Sequence, residues 1–366
     1  MDILIIDNSS ITIKENSLYT NPLNGLFVDE LIELNNRVFY LQFGLNSTNQ
    51  FNCYNLNKEG IRPIVLRFYK NKLLRYFIAY YKTLTFIRKV DFVYFYYPSS
   101  FKYMCFICRI LRKPYGIYIR GMKGVSDKIS FNIYRHSYTI FTVSDYFTNM
   151  VNSRLSIDKA STIRPMIPYT DADVVYDRDY STPSDFNLLY LGRIDKDKGL
   201  SELIDAIDSI RNEFHNLHLT IVGDGEYLPH LKQMVVEKDL LSIVRIKGPV
   251  MDVNEKATYF KGAHIYVLPT YHEGFPRTLY EAMIYGTPII TTFVGGIPAL
   301  MIDGNNCKRI EPHSSESIVT AMRFAFNNYE EMGKLAKNAS MIVAKIVDRS
   351  RLSHAQDLNE KLKKLC

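Results

Sequence analysis

Ile265-Tyr266-Val267-Leu268-Pro269 is followed by Glu273-Gly274-Phe275-Pro276-Arg277-Thr278-Leu279-Tyr280-Glu281-Ala282-Met283 and then Gly286-Thr287-Pro288. An apolar run ended by Pro269 reads as a buried strand. A polar loop comes next, and Pro276 suits the first turn of a helix whose apolar stripe is Leu279, Ala282 and Met283. Gly286-Thr287-Pro288 stops that helix before a second apolar run at 289–292. Strand, helix and strand in this order make a parallel βαβ unit. The helix then points its unpaired N–H groups at the mouth of the sheet, a ready site for phosphate. Glu273 precedes the helix, where its carboxylate can accept hydrogen bonds from sugar hydroxyls. Glu281 lies just over a turn inside. Taken singly, the two Glu read more simply as ordinary capping and surface charge.

The same alternation extends in both directions. Apolar runs at 188–191, 217–222, 243–246 and 265–268 are mostly followed by Gly or Pro and a helical pattern. In the first half, runs at 3–6, 38–43, 92–96, 116–119 and 140–143 read as buried parallel strands between longer mixed segments. Strands alternating with helices twice over predict two α/β, doubly wound parallel-sheet domains with a cleft between them, joined within 169–184. Ligands in such sheets sit beyond the carboxyl ends of the strands. There, Gly192-Arg193-Ile194-Asp195-Lys196-Asp197-Lys198-Gly199 places Arg193 and Lys198 where two cations can bridge a diphosphate. Val222-Gly223-Asp224-Gly225-Glu226 is half a dinucleotide fingerprint, without its third Gly or its distal acid, and is weak evidence for NAD.

A composition of 47% hydrophobic and 23% charged residues excludes a disordered chain. There is no run of 18 apolar residues for a conventional membrane span. Met1–Asp7 shows no basic n-region or small-residue cleavage site, and the five Cys have no regular spacing. The expectation is a reduced, cytoplasmic protein. The formal charge of +7 is unevenly spread. Between Ile61 and Gly124 fourteen Lys/Arg face a single acid, Asp91, and aromatic residues are interleaved with them. A solvated helix face would mix both signs. An anionic membrane surface, an anionic lipid-linked substrate and nucleic acid each fit this stretch, and charge alone does not choose among them.

From 187 to 306 the ordered set of Gly192-Arg193, Lys198-Gly199, Gly223-Asp224-Gly225, Gly248-Pro249-Val250, Glu273, Glu281, Gly286-Thr287-Pro288 and Gly295-Gly296-Ile297-Pro298 resembles the retaining GT-B glycosyltransferases of glycosyltransferase family 4. The resemblance implies two Rossmann-like domains facing across a cleft. An acceptor-binding domain would span 1–175 and a nucleotide-sugar domain 183–346, with a C-terminal helix within 347–366 packing back on the first.

The resemblance assigns Arg193 and Lys198 to the donor diphosphate, Glu281 to the ribose hydroxyls and Glu273 to the donor sugar. The loop Gly248, Pro249 and Val250 would line the base. The segment Phe275, Arg277, Thr278 and Leu279 would seat phosphate and ribose through its backbone. Cations and helix amides would stabilise the leaving diphosphate, so a metal-independent, cofactor-free reaction is expected. Asn24-Gly25 stands where relatives carry a glycine-rich loop, making Gly25 a donor contact and Asn24 a candidate contact. Arg120 stands where many relatives have a His contacting the donor sugar. It is a candidate donor or acceptor contact, as is His272 beside Glu273.

Asp195-Lys196-Asp197 and Asp171-Ala172-Asp173 imitate a metal-binding Asp-x-Asp but fall in loops, and Cys105 and Cys108 lack a second pair, so no metal is expected. The implied partners are a UDP- or GDP-sugar, a glycan or lipid-linked acceptor of surface polysaccharide synthesis, and an anionic membrane surface through 61–124. Nucleic acid is not expected. Two rivals remain open: a nucleotide-sugar epimerase of similar architecture, and a non-enzymatic nucleic-acid- or anionic-surface-binding protein.

Overall fold

The chain divides into two units, Met1–Ile167 with Ser350–Cys366, and Pro168–Arg349. The structure, a computed structural model, describes residues 1–46, 52–121, 124–274 and 276–365.

The first unit opens with β1 (Asp2–Ile6), β2 (Ile11–Lys14), β3 (Ser17–Thr20), α1 (Pro22–Glu33), β4 (Arg37–Asn46) and β5 (Tyr54–Asn55). It continues with β6 (Ile61–Leu66), α2 (Lys72–Ile87), β7 (Phe92–Tyr97), α3 (Met104–Ile110) and β8 (Tyr115–Ile119). α4 (Lys128–His136), β9 (Thr139–Thr142), α5 (Asp145–Leu155) and β10 (Ala160–Thr162) follow. The strand order is β10-β9-β8-β7-β1-β4-β2-β3-β5, with β6 also paired to β4. Every residue of β7 and β8 is buried, as a parallel sheet covered on both faces requires. Alternate residues feed opposite cores. Leu4 and Ile6 pack with Ile87 and Cys108, while Ile3 and Ile5 pack with Phe27 and Val28 of α1.

β2 and β3 carry no turn signature because their connection is Glu15-Asn16. Both residues nevertheless take positive φ, 46° and 64°, which gives a two-residue hairpin the twist it needs. β6 contains Pro63, a residue that argues against a strand except at an edge.

In the second unit come β11 (Phe186–Leu191), α6 (Leu200–Ile210), β12 (Leu217–Val222), α7 (Leu228–Glu237), β13 (Val244–Lys247) and α8 (Val253–Gly262). They are followed by β14 (Ile265–Leu268), α9 (Arg277–Ile284), β15 (Ile289–Thr292), β16 (Lys308–Ile310), α10 (Ser315–Asn327) and α11 (Tyr329–Ile346). The sheet is parallel throughout, in the order β13-β12-β11-β14-β15-β16. The direction of winding reverses between β11 and β14, which opens a crevice at their carboxyl ends.

The stretch 169–184, expected to be a joint, instead packs on the second unit. Arg178 Nη1 donates to the Phe260 and Tyr285 carbonyls at 3.1 and 3.2 Å, and the Tyr180 hydroxyl donates to the Gly286 carbonyl at 2.8 Å. These carbonyls belong to the ends of α8 and α9, where no helical partner remains for them and a guanidinium also meets the negative pole of the dipole. An irregular, polar segment is therefore a strap holding two helix ends.

The last helix, α12 (His354–Lys363), is capped by Ser353 and Gln356 and belongs to the first unit. Ala355, Leu358 and Leu362 join the core that holds Ile3 and Ile5. His354 is buried among Phe27, Tyr118 and Phe141, with Nε2 2.6 Å from the Tyr94 hydroxyl. Burial, then the nearby Arg120, pushes its imidazole down to about 3 from the usual 6.5. Neutral in the fold, it binds a proton when unfolded, so it stabilises the unit above about pH 6.5 and loses that contribution as pH falls toward 3. Urea melts near pH 7 and pH 4.5 should show His354→Phe destabilised at the higher pH, by about 1–3 kcal/mol for the orphaned Tyr94 hydroxyl. Its stability should fall less steeply on acidification than the parent's, by up to about 1.4 kcal/mol per pH unit. Identical slopes in both proteins would refute the assignment.

Candidate active site

The crevice between β11 and β14 is built by two loops. After β11 the chain runs through Gly192 and Arg193 into a tight turn, Lys196–Lys198, and reaches α6 through Gly199. After β14 it runs from Pro269 to Pro276 and enters α9. Gly199 has φ 67°, and a Cβ there would lie 2.0 Å from the Pro269 carbonyl oxygen. Only glycine allows the loops this approach. The amide of Tyr271 donates to the Asp197 carbonyl at 2.8 Å and fastens them further. Gly295 does the same from the loop after β15, where a Cβ would lie 1.7 Å from the Glu273 carbonyl oxygen.

Lys198, only 5% exposed, sends Nζ across this junction to Glu273 Oε1 at 2.6 Å and to the His272 carbonyl at 3.2 Å. Asp197 Oδ2 lies 3.5 Å from the same ammonium. A buried ammonium is tolerable because carboxylate and carbonyl oxygens replace its water. The expected diphosphate cation and the expected sugar-binding carboxylate are thus brought together. Arg193 is the more exposed cation, its side chain 65% accessible and paired with Asp195.

α9 begins at Arg277, with no side-chain cap from Pro276 and no acid in its first turn, so no charge within that turn offsets the positive end of its dipole. Tyr266 fixes this end. Its hydroxyl lies 3.2 Å from the Leu191 carbonyl and 2.6 Å from Thr278 Oγ1, which joins the end of β11 to the helix. Leu279 is wholly buried, which keeps its side chain out of the crevice, and its amide donates to the Pro276 carbonyl at 3.2 Å. The His272 side chain is exposed, and its carbonyl is the part that holds Lys198. Phe275 lies outside the described residues.

Glu281, one turn into α9, is 5% exposed. Lys256 Nζ lies 3.6 Å from its Oε1, and the Tyr169 hydroxyl lies 3.5 Å away. Burial raises the carboxyl and Lys256 opposes that rise. Lys256 and Tyr169 went unseen in the sequence, since neither belongs to a recognisable motif. Lys256 arrives in the first turn of α8, just after the loop Gly248–Val250. Among the described residues nothing lies within 4 Å of where a Gly248 Cβ would be, so the loop is open at that position.

The paired aspartates are committed elsewhere. Asp195 pairs with Arg193, Asp197 with Lys198 and Asp171 with Arg349, while Asp173 accepts from the Thr170 amide.

In the first unit the expected glycine loop is a helix start. Asn21 caps α1, Pro22 is its first residue, and Asn24 and Gly25 lie inside it. Gly25 is buried, and a Cβ there would lie 2.1 Å from the Tyr54 ring, so its lack of a side chain serves packing and a donor contact is not supported. Asn24 is wholly buried. It donates to Asp7 at 2.9 Å and accepts from Arg120 Nη1 at 2.8 Å. Asn24 therefore orients Arg120, with its own side chain buried. Arg120 lies over the Tyr96 ring at 4.8 Å, with Asp7 3.7 Å away and its side chain 19% accessible. Asp7 was missed, although it ends the first apolar run.

Residues 180–341 match the model of the family described as glycosyl transferases group 1. Over 161 residues the chain is 29% identical to a D-inositol 3-phosphate glycosyltransferase of Paenarthrobacter aurescens, covering 42% of this chain and 39% of that protein. Over 145 residues it is 28% identical to the capsular polysaccharide biosynthesis glycosyltransferase CapM of Staphylococcus aureus, covering 39% of this chain and 37% of that one. The chain thus spans well under half the length of these two relatives. The Anabaena protein HepE, solved in complex with UDP, matches all of this chain and 99% of its own with a TM-score of 0.72 at 16% identity. That likeness fixes the α/β GT-B fold. The segment 180–341, which holds the Lys198–Glu273 pair and Glu281, is the part of the chain that matches the glycosyl transferases group 1 model.

Proposed function

We propose that the protein moves a hexose or N-acetylhexosamine from a UDP- or GDP-sugar to an acceptor hydroxyl with retention of configuration, as a member of glycosyltransferase family 4. The observation that carries this reading is the Lys198–Glu273 pair at 2.6 Å beside the uncapped start of α9, at the switch point of a parallel sheet. A diphosphate reaching this crevice competes with Glu273 for Lys198 and also meets the α9 amides. Glu273, released, turns its carboxylate to the sugar hydroxyls, and Glu281 takes the ribose.

As the bond from the anomeric carbon to the diphosphate oxygen breaks, its electron pair stays on that oxygen. Lys198, Arg193 and the helix amides stabilise the charge, so we expect turnover without a metal. The acceptor oxygen then bonds to the anomeric carbon on the face the diphosphate leaves, and its proton passes to the departing diphosphate oxygen. Arg120, held by Asn24 and Asp7, is read as an acceptor or donor contact. The name of CapM and the basic 61–124 stretch favour a lipid-linked or surface polysaccharide precursor as acceptor, met at the cytoplasmic face of a membrane.

Calorimetric titration of UDP and GDP without added metal should show one nucleotide binding. Glu281→Ala should weaken it by at least about 2 kcal/mol, roughly 30-fold in Kd, and Lys198→Ala by a similar amount. Full affinity in both variants would remove the site assignment. Release of free nucleotide only when acceptor is present identifies transfer, whereas epimerisation releases none.

A second outcome follows from Lys256. Without its charge the Glu281 carboxyl rises further, and a protonated carboxyl cannot accept both ribose hydroxyls. Lys256→Met should therefore lose nucleotide affinity at a higher pH than the parent as the solution is acidified, and Lys256→Arg should restore the profile. An unchanged pH profile in Lys256→Met would contradict this role.

A further inference from the structure

The structure divides the basic stretch 61–124 into parts with different fates. Arg120 is held inside the polar cluster, Lys102 pairs with Asp127 at 3.1 Å, and Lys113 donates to the Val90 carbonyl. Around α2 the charges stay in water. Lys70, Lys72, Lys82 and Arg88 are exposed, and α2 itself contains no acid.

The same helix exposes its apolar side chains. Leu73 is 84% exposed, Phe77 73% and Tyr81 65%, with Leu74 beside them at 48%. Spaced four apart, Leu73, Phe77 and Tyr81 make a single stripe along the helix. Ala79, Thr83 and Ile87 form the opposite, buried face, so the outward stripe is not a core face turned by mistake. By the 100° step of a helix, Lys72 and Lys82 fall on either side of the stripe, and Lys70 and Arg88 lie at its two ends.

We propose that this face of α2 docks on an anionic lipid bilayer, with Leu73, Phe77 and Tyr81 entering the headgroup boundary and the flanking cations meeting acidic headgroups. Three features select this occupant. A row of large apolar side chains gains nothing from a nucleic-acid backbone, while an uncharged protein surface would leave the cations unanswered. A bilayer interface takes both at once, because apolar burial and attraction to acidic lipid add. Asp91 is the only acid from Ile61 to Gly124, so nothing in this stretch repels an anionic surface strongly. The inference deepens the reading of a membrane-borne acceptor by naming the surface that would bring the chain to it. It is tested apart from that reading, since vesicle binding requires no donor.

The experiment is flotation of the full chain with phosphatidylcholine vesicles, with and without phosphatidylglycerol. The parent protein should float with the anionic vesicles, less so at high salt, and remain behind with the neutral ones. The double variant Leu73→Ser with Phe77→Ser should lose at least about tenfold in partition. Lys72→Glu with Lys82→Glu should lose the preference for anionic lipid. Both variants alter exposed side chains and should keep the parent's melting temperature and nucleotide affinity. The proposal is overturned by no flotation with anionic vesicles, by equal flotation with neutral ones, or by variants that partition as the parent does. RNA mobility shifts without vesicle binding, or a dimer that dissociates in the Ser variant without vesicle binding, would also overturn it. Failure of nucleotide binding with flotation intact would count against the transferase reading alone.

Discussion

An ammonium group buried at the carboxyl edge of a sheet needs oxygen ligands in place of water, and the second unit is arranged to supply them to Lys198. Glu273 and the His272 carbonyl arrive from the loop after β14, and the lysine arrives from the loop after β11. The two strands are neighbours only because the winding of the sheet reverses between them. Gly199 brings the loops within reach, Gly295 supports the Glu273 backbone from behind, and Tyr266 ties the end of β11 to the start of α9. An ion pair of this kind costs desolvation and gains little stability on its own. In the proposed reaction its value lies in being exchangeable: a diphosphate would offer Lys198 a stronger anionic partner and free a carboxylate for the sugar.

Glu281 shows the complementary arrangement. Its carboxyl is buried on α9, which favours the neutral form, and Lys256 from the first turn of α8 pulls it back toward the charged one. The helix that follows the open loop at Gly248–Val250 therefore also controls the carboxylate read as the ribose ligand. The strap at Arg178 and Tyr180 holds the far ends of α8 and α9 together, so the spacing of Lys256 and Glu281 is set from both ends of the helices.

The first unit is organised by aromatic packing. Phe27, Tyr94, Tyr118 and Phe141 surround His354 of the last helix, and Arg120 is held in the cluster of Asp7, Asn24 and Tyr40. On α2 the apolar side chains of Leu73, Phe77 and Tyr81 remain outside, in a row bordered by cations.

The apolar runs of β1, β4, β7, β8, β9 and of the second sheet were legible because parallel strands covered on both faces need continuous apolar sequence. The loops bearing Lys198 and Glu273, and the start of the helix that carries Glu281, were legible because Gly and Pro mark where such strands end. β2 and β3 were not, since their turn residues adopt positive φ without being glycine, nor was β6 with its edge proline. Side-chain partnership lay beyond local sequence altogether. Lys256 and Glu281 are brought together by helix packing, and Asn24 with Gly25, which reads as a loop, is a helix start whose glycine makes room for Tyr54. Sequence alone determined the periodicity and the places where chemistry could sit, because strand burial and helix termini are local properties. Tertiary structure decided which charges meet and which stay in water, because those pairings depend on strand order and on helices distant in the chain.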